Sequence, residues 1–369
     1  MLPAAKTHRL SLADVLPNCL ASLSRTSGRM GLPPAEKAVV IVVDGLGLTA
    51  LSERAGHARV LASRLGMDPA AGSGFPSTTV AALTSLTTGE PSGRHGLVGY
   101  RILDVERDRV VNQLSGWEGL DPATWQRMPT LFESATRSGI RSVAIAHPRY
   151  VDSEFTHAML RGAEFLGAAE ATARRTRLRE VLAAPGPALV YYYVPDLDMA
   201  GHAKGLASGE WIAALEDLDA ELGAILGILG PRDGLLVTAD HGMVDVPEHA
   251  QRIATADQLD GVRHVAGEPR CLQLHLEVDA DAQAVAERWR AAEGRRAWVA
   301  TRDEAIAVGW FGAVDPEVAP RIGDVLVAAR GDFAFYADPD DRGRGMVGQH
   351  GSLTPAETGV PLLRFGAFA

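Results

Sequence analysis

Short runs of β-branched and other apolar residues recur along the chain and predict buried strands. Four of them end beside polar residues: "AVVIVVD" at Asp44, "SVAIAH" at His147, "PALVYYYVPDLD" at Asp198 and "GLLVTADH" at His241. Continuous apolar runs of this length, bounded by turn residues, are typical of strands covered on both faces. The pattern therefore predicts a central sheet that lies in the core.

Segments with helical patterning lie between these runs. The clearest extend from Leu160 to Ala184 and from Glu210 to Leu229. Alternation of buried strands with helices favours an α/β fold with a mostly parallel sheet and helices on both faces. Ligands bind such sheets outside the carboxyl ends of the strands. Four residues with metal-binding side chains occupy those ends: Asp44, Asp198, Asp240 and His241.

The pattern changes between Glu268 and Val314. Alternation in "CLQLHLEV", a helical stretch in "DAQAVAERWRAAEG" and a further strand and short helix in "AWVATRDEAIAVGWFG" predict a small α+β insertion. We therefore expect an N-terminal extension over residues 1–36 that packs on the core, a core formed by 37–267 and 315–369, and the insertion over 268–314. Within the second part of the core, "RIGDVLVAAR" and "FAFYA" predict a return to strands.

The 369-residue chain has the composition of a soluble globular protein, with 46% hydrophobic and 22% charged residues. Its apolar runs are shorter than the about 18 residues that suggest a membrane span, so we expect no membrane partner. Asp14, Pro17 and Asn18 interrupt the N-terminal segment, unlike the apolar stretch of a secretory signal. A cytoplasmic location is the resulting expectation.

Charge and cysteine content restrict the chemistry. A formal net charge of −10 argues against a broad nucleic-acid-binding face, so no nucleic-acid polymer is expected as a partner. The two cysteines, Cys19 and Cys271, provide neither a disulfide framework nor a thiolate cluster. Any metal would therefore be held by nitrogen and oxygen ligands.

Three aspartates and three histidines are the candidate metal ligands: Asp44, Asp198, His202, Asp240, His241 and His350. Asp198 and His202 are four positions apart, which lets both side chains reach one ion from a turn or a helix start. Asp240 and His241 are adjacent at a strand end. Taken singly, each residue has a structural alternative, such as a turn-forming Asp-Gly or a loop histidine. Together they suit two zinc-type sites that clamp the oxygens of a phosphoryl group.

The stretch "GFPSTTVAALTSLTTG", from Gly74 to Gly89, predicts a turn followed by a helix unusually rich in hydroxyl groups. Threonine favours the first turn of a helix. A helix N-terminus also favours the oxyanions of a phosphoryl group. Because a threonine hydroxyl is protonated at neutral pH, it needs a metal or a base to act as a nucleophile.

In their order along the chain, these motifs resemble the alkaline phosphatase superfamily, most closely its nucleotide pyrophosphatase/phosphodiesterase branch. The order is a strand-end aspartate, a nucleophile helix ending in Thr-Gly, Asp-x-x-x-His, Asp-His-Gly and a late His-Gly. The resemblance covers residues 37–265 and 321–365. It implies an alkaline-phosphatase-like three-layer sandwich with a mostly parallel central sheet and a small α+β inserted subdomain.

The resemblance also implies roles for individual residues. The family's nucleophile lies ten positions before the closing glycine, which indicates Thr79 ahead of its neighbours Ser77 and Thr78. It implies two divalent metal ions, zinc with manganese as the alternative, and a phosphothreonine intermediate that water hydrolyses. The first metal would have the ligands Asp198, His202 and His350. The second would have the ligands Asp44, Asp240, His241 and Thr79.

Two departures from the family pattern refine the substrate. Thr78 stands where monoesterases have an aspartate, which disfavours a three-metal monoesterase. Tyr100 stands where the branch usually has a phosphoryl-binding asparagine; its hydroxyl could donate the same hydrogen bond, and Asn112 is a further candidate for substrate binding.

The expected function is hydrolysis of a phosphodiester or phosphoanhydride bond in a small molecule. Alternatives on the same scaffold are a phosphonate or phosphate-monoester hydrolase and a phosphoryl or phospho-alcohol transferase. A non-catalytic metal-binding scaffold is the remaining alternative, and the oligomeric state stays open.

Overall fold

The computed structural model describes residues 2–4 and 8–369, and this part of the chain contains eighteen strands. In chain order they are β1 (Leu10–Ser11), β2 (Lys37–Val43), β3 (Ala70–Gly72), β4 (Arg101–Asp104), β5 (Arg109–Asn112), β6 (Arg141–Ala146), β7 (Glu164–Gly167), β8 (Ala188–Val194), β9 (Asp233–Ala239), β10 (Val244–Asp245), β11 (Gln251–Ile253), β12 (Val262–Glu268), β13 (Cys271–Leu276), β14 (Ala297–Thr301), β15 (Val325–Ala329), β16 (Ala334–Tyr336), β17 (Gly348–Gln349) and β18 (Gly359–Gly366).

The same described residues form fourteen α-helices. They are α1 (Val15–Leu23), α2 (Leu48–Glu53), α3 (Arg59–Ala62), α4 (Thr79–Thr88), α5 (Ser92–His95), α6 (Pro122–Trp125), α7 (Leu131–Arg137), α8 (Glu154–Met159), α9 (Ala171–Ala183), α10 (Asp196–Lys204), α11 (Gly209–Leu226), α12 (Ala282–Glu293), α13 (Arg302–Ala307) and α14 (Pro355–Thr358).

An eight-stranded sheet forms the centre of the fold, with the order β1-β3-β18-β9-β2-β8-β6-β7. The strands from β9 to β7 are parallel, and β18 runs antiparallel to both of its neighbours. Every residue of β2, β8 and β9 is buried, as expected for strands covered on both faces. The predicted α/β fold with a mostly parallel central sheet is confirmed.

The segment from Leu160 to Ala184 is not the single helix that its pattern predicts. Its first part forms the edge strand β7, which pairs in parallel with β6, and α9 begins only at Ala171. The run Glu164–Gly167 is too short to show a period of its own. Its pairing with a distant strand therefore overrides a weak local preference.

A second, antiparallel sheet has the order β12-β13-β15-β14. It packs with α12 around a separate apolar cluster that includes Leu272, Trp289 and Val327. The sheet extends beyond the predicted 268–314 insertion, because β15 and all of β12 except Glu268 lie outside those bounds and pair with the strands of this sheet. "DVLVAAR" was expected to return to the core; a buried apolar run shows that a strand exists but not which sheet it joins. The division of the chain into domains stays a prediction.

The described residues before β2, which are 2–4 and 8–36, pack on the main sheet, while residues 1 and 5–7 of the predicted extension lie outside the described part of the chain. Strand β1 pairs with β3, and α1 contributes Val15, Leu16 and Cys19 to the main apolar core. Among the helices of residues 2–4 and 8–369, none combines the length and the hydropathy that a bilayer crossing requires. The cellular compartment stays a prediction.

Candidate metal centre and active site

Sheet topology brings the candidate ligands to one edge of the central sheet. Strands β9, β2 and β8 are adjacent and parallel, so their carboxyl ends lie side by side. Asp44 follows β2, and Asp240 and His241 follow β9. Helix α10, which starts two residues after β8, carries Asp198 and His202. The loop after β17 brings His350 to the same place, where its ring stacks on that of His241 with 3.5 Å between centroids.

Helix α4 presents Thr79 to this edge as its first residue. Thr78 precedes the helix in an extended conformation, and its side chain makes no capping hydrogen bond. The rest of α4 is buried, and the hydroxyls of its threonines bond inside the helix, as when Thr84 donates to the carbonyl of Val80 at 2.7 Å. The hydroxyl of Ser85 instead lies 3.0 Å from His95 Nε2. Gly89 ends the helix in the left-handed region, with φ of 74°. Every residue of α4 after Thr79 is thus buried, and only Thr79 is half-buried.

The inner group consists of Asp44, Asp240 and His241, which are 6%, 0% and 0% exposed. The Nε2 atom of His241 lies 3.4 Å from Asp44 Oδ1 and 3.5 Å from Asp240 Oδ2. The same nitrogen is 3.1 Å from the hydroxyl oxygen of Thr79. The other oxygen of Asp240 accepts hydrogen bonds from the backbone N–H groups of Gly45 and His241. These contacts orient one oxygen of each aspartate toward His241 and Thr79.

The outer group consists of Asp198, His202 and His350, whose side chains are 15%, 25% and 12% exposed. Asp198 Oδ1 lies 3.3 Å from His202 Nε2 and 3.9 Å from His350 Nε2. Potential ligand atoms of the three residues all lie within 4.8 Å of one another. The same criterion joins Asp198 to Asp44 and His241, so the carboxylate of Asp198 lies between the two groups.

Each of the three histidines has one ring nitrogen held by the backbone. The Nδ1 atoms of His202, His241 and His350 lie 2.7, 3.2 and 2.9 Å from the carbonyl oxygens of Gly348, Gly242 and Ser77. Because a carbonyl can only accept, these contacts place the proton on Nδ1 and leave each Nε2 unprotonated, and that of His241 accepts from the Thr79 hydroxyl. This is the arrangement in which a metal-binding histidine is oriented by its second nitrogen.

Burial shifts the ionisation of the cluster. Desolvation, reinforced by Asp44, raises the pKa of Asp198 to about 8, and desolvation raises the pKa of Asp240 to about 7. The pKa of Asp44 is raised well above its ordinary value by burial and by Asp240. Burial lowers the pKa of His241 to about 3, and burial with the neighbouring histidines lowers that of His350. Three carboxylates so close together can ionise together only beside cations.

The donor set fits divalent metal ions. Asp44 Oδ1, Asp198 Oδ1 and Asp240 Oδ2 are buried, and within the described residues none of them has a hydrogen-bond partner. Neutral imidazoles and carboxylates are the ligands that zinc and similar ions take, and an ion would satisfy all three oxygens at once. The six side chains could therefore hold metal ions, with Thr79 directly beside the inner group.

A cavity of about 590 Å³ opens over the cluster. Asp44, Thr79, Asp198, His202 and His350 line its floor. Its walls are largely apolar and aromatic, and include Leu83, Tyr150, Phe155, Met159, Leu160, Phe165, Tyr193 and Met199. A small molecule of moderate size can reach the cluster through this cavity.

The two predicted substrate-binding residues have different positions. Tyr100 lines the cavity, whereas Asn112 is not part of the lining. The side-chain amide of Asn112 donates to the hydroxyl oxygen of Tyr100 at 2.7 Å, which leaves the Tyr100 O–H free to donate elsewhere. Asn112 is therefore placed to orient the hydroxyl group of Tyr100.

Several polar residues at the site are not indicated by the sequence, and two of them, Tyr193 and Glu268, have contacts that bear on its chemistry. The hydroxyl of Tyr193 donates to Asp44 Oδ2, although the "YYY" run gives no signal beyond a buried strand. Glu268, expected at the start of the insertion, lies at the end of β12 and lines the cavity. Neither residue stands in a motif of recognisable spacing, because each reaches the site through a long-range contact.

Comparison with solved structures shows the same fold in two hydrolase families. Murine ectonucleotide pyrophosphatase/phosphodiesterase 5, as an inactive variant in complex with AMP, has a TM-score of 0.72 and 17% sequence identity, and the match covers 90% of this chain and 88% of that one. Phosphonoacetate hydrolase from Sinorhizobium meliloti in complex with phosphonoacetate has a TM-score of 0.70 and 18% identity, over 90% and 91% of the two chains. The alkaline-phosphatase-like architecture is thereby confirmed.

Similarity in sequence extends to phosphodiesterases. A pyrophosphatase/phosphodiesterase of Schizosaccharomyces pombe is 26% identical over 201 residues, which are 52% of this chain and 41% of that protein. Venom phosphodiesterase 2 of Crotalus adamanteus is 27% identical over 183 residues, 47% of this chain and 22% of that protein. The matches thus span less than half the length of these relatives.

The family match covers most of the chain. Residues 38–353 match the family described as type I phosphodiesterase / nucleotide pyrophosphatase. This span includes all six candidate ligands and Thr79. The chain belongs to the type I phosphodiesterase / nucleotide pyrophosphatase family of hydrolases.

Proposed function

We propose that this protein is a two-metal hydrolase that cleaves a phosphodiester or phosphoanhydride bond of a small molecule through Thr79. The observation that carries the proposal is that three carboxylate oxygens without a hydrogen-bond partner in residues 2–4 and 8–369 and three unprotonated Nε2 atoms lie together beside the Thr79 hydroxyl. Family membership supports the reaction class. The murine relative provides a parallel, since its inactive variant has a threonine replaced by alanine and binds AMP.

In this proposal the outer group holds one divalent ion and the inner group the other. Zinc suits the mixed imidazole and carboxylate set, and manganese is the alternative. When bound, such ions neutralise phosphoryl oxygens and lower the pKa of a neighbouring hydroxyl. Asp198, which lies between the two groups, would contribute to the alignment of both ions.

Thr79 is the proposed nucleophile. Its deprotonated oxygen attacks phosphorus; a bond from Oγ to phosphorus forms as the bond from phosphorus to the leaving oxygen breaks, giving phosphothreonine. The leaving oxygen takes up the proton that Thr79 lost. Water then attacks phosphorus, the bond from phosphorus to Oγ breaks, Oγ takes up a proton from that water, and the product leaves with Thr79 restored. The uncapped start of α4 directs backbone N–H groups toward the phosphoryl oxygens. The Tyr100 hydroxyl, held by Asn112, donates a further hydrogen bond to the substrate.

The proposal is tested with purified protein loaded with zinc and offered bis(p-nitrophenyl) phosphate and p-nitrophenyl phosphate. We expect the diester to turn over faster and the Thr79→Ala variant to be inactive. Thr79→Ser, which keeps a hydroxyl, should retain part of the activity. Thr84→Val is the matched control, because the Thr84 hydroxyl bonds only within α4. Faster turnover of the monoester, or full activity in Thr79→Ala, would refute the proposal.

A phosphonate is the second candidate substrate. The likeness of the fold to phosphonoacetate hydrolase, at a TM-score of 0.70, favours including it. Turnover of phosphonoacetate, followed by phosphate release, and of a phenylphosphonate ester separates the candidates, since a higher kcat/KM for either phosphonate than for the diester would reassign the substrate. Turnover that increases with added alcohol would instead identify a transferase.

A further inference from the structure

Glu268 is a buried carboxyl group in the wall of the cavity, outside the proposed metal ligands. It is 4% exposed and lies at the end of β12. Its Oε2 atom accepts a hydrogen bond from the backbone N–H of Tyr100 at 3.0 Å. Its Oε1 atom is buried and has no hydrogen-bond partner in residues 2–4 and 8–369. One oxygen thus fixes the side chain, and the other is unused.

The backbone around His350 makes room for this side chain. A Cβ atom on Gly351 would lie 2.3 Å from Glu268 Cγ and 3.0 Å from Oε1, so only glycine fits there. Gly351 also has φ of 134°, which other residues rarely adopt. The close approach brings the Glu268 carboxyl against the loop that carries a proposed metal ligand. Its unused oxygen is therefore near the reacting end of the cavity.

Glu357 is a buried carboxyl group nearby that has every partner it needs. It is fully buried, forms a two-bond ion pair with Arg270 at 3.0 and 2.7 Å, and accepts from the Ser352 N–H and the Thr354 hydroxyl. The fold therefore supplies partners where a carboxylate is structural. Glu268 lines the cavity, and only one of its two carboxyl oxygens has a hydrogen-bond partner in the described residues. A buried oxygen of this kind is expected to find its partner in a bound ligand.

We propose that Glu268 recognises a hydroxyl group of the substrate through its unpartnered Oε1, so that the enzyme selects phosphodiesters of a polyol or sugar alcohol. A hydroxyl can donate to a carboxylate and can also accept from a carboxylic acid. It therefore fits Glu268 in either protonation state, and burial raises the pKa of this group to about 8. This inference rests on the proposed function, since it assigns a substrate class to the same site.

A matched pair of chromogenic diesters tests the inference. They are 2,3-dihydroxypropyl p-nitrophenyl phosphate and propyl p-nitrophenyl phosphate, which have the same leaving group and differ in two hydroxyls. For the zinc-loaded wild-type protein we expect kcat/KM to be at least tenfold higher for the dihydroxypropyl ester, a factor that one buried hydrogen bond can supply. In Glu268→Ala the ratio of the two kcat/KM values should fall to near one, since any effect of losing the contact with the Tyr100 N–H applies to both esters alike.

The Glu268→Gln variant and a third ester sharpen the assignment. Glutamine keeps both an acceptor and a donor, so it should retain part of the preference for the dihydroxypropyl ester. Equal ratios in wild type and Glu268→Ala would overturn the inference. If the enzyme instead preferred a 2-aminoethyl ester, the group recognised by Glu268 would be an ammonium ion, and the inference would be overturned as well. Zinc content and thermal unfolding of each variant identify any loss that comes from misfolding.

The two proposals fail in different ways. If the wild-type protein with zinc hydrolyses neither ester, or if Thr79→Ala retains the activity, the proposed function is wrong. If both esters are hydrolysed through Thr79 but the ratio does not depend on Glu268, the function stands and only the substrate class is wrong.

Discussion

The inner and outer groups of the candidate metal centre use the same residue types in different surroundings. Asp44, Asp240 and His241 are buried at the ends of the central strands, and backbone N–H groups hold Asp240. The outer group lies on α10 and a loop, and its side chains are 12–25% exposed. The difference in burial predicts that substitutions in the inner group reduce activity more than substitutions in the outer group.

The largest effect is expected from Asp240→Asn. The substitution removes a charge from the inner group and places an amide beside two N–H donors. We expect kcat/KM to fall at least about a thousandfold, equivalent to roughly 4 kcal/mol of transition-state stabilisation. Metal analysis after dialysis should show the loss of one zinc ion per chain. The exposed Asp257→Asn serves as the control, and two bound zinc ions with normal activity in Asp240→Asn would contradict the inner-site assignment.

A smaller effect is expected from His202→Ala in the outer group. Because His202 is 25% exposed, water can replace its imidazole, and we expect a loss of about a hundredfold, or roughly 2.7 kcal/mol. Added imidazole should restore part of the activity in His202→Ala but not in His241→Ala, since His241 is fully buried. If imidazole restored the activity of both variants equally, the predicted difference between the inner and outer groups would be wrong.

Tyr193→Phe probes the support of the inner group. The change removes the hydroxyl that donates to Asp44 and keeps the buried ring. Loss of such an outer hydrogen bond typically costs about 10–100-fold in metal affinity or activity, and we expect the lower end of that range. Competition with a chelator measures the zinc affinity. Asn112→Ala, which acts on Tyr100 at the cavity wall, should leave that affinity unchanged.

The smallest effect concerns the stability of the metal-free protein. The pKa of Asp198 is raised to about 8, well above the about 3.9 of an unfolded aspartate, so its contribution to stability is present at low pH and is lost as pH rises through 8. The lowered pKa of His241 acts in the opposite sense, with stability lost as pH falls from about 6.5 toward 3.

Between pH 6.5 and 8 the raised carboxyl groups therefore dominate. In this window we expect the Tm of metal-free protein to fall by at least about 2 °C, and by less in Asp198→Asn. Zinc-loaded protein should show no such fall, because bound cations stabilise the ionised carboxylates. Differential scanning calorimetry with and without chelator measures the difference. A Tm that rises over this interval in the metal-free protein would contradict the assigned ionisation.

Much of the fold followed from local patterns. Central strands such as Lys37–Val43 and Asp233–Ala239 are almost entirely apolar after their first residue, with Thr238 as the exception, and this pattern indicates burial on both faces. Local patterns did not predict strand β7 or the sheet to which β15 belongs, because both depend on which distant strand supplies the hydrogen bonds. The candidate ligands could be proposed because strand ends of a parallel sheet share one edge, while their roles stay predictions.

The sequence by itself determined the α/β class, the strand-end positions of the aspartates and histidines, and the family that their order indicates. These features depend on local periodicity and on spacing along the chain. Only the tertiary structure decided the protonated nitrogen of each histidine, the Tyr193 contact with Asp44 and the position of Glu268 against Gly351. Most of these contacts join residues that are 83 to 273 positions apart in the sequence, and only folding brings them together. The contact of His241 depends instead on the direction of the neighbouring Gly242 carbonyl.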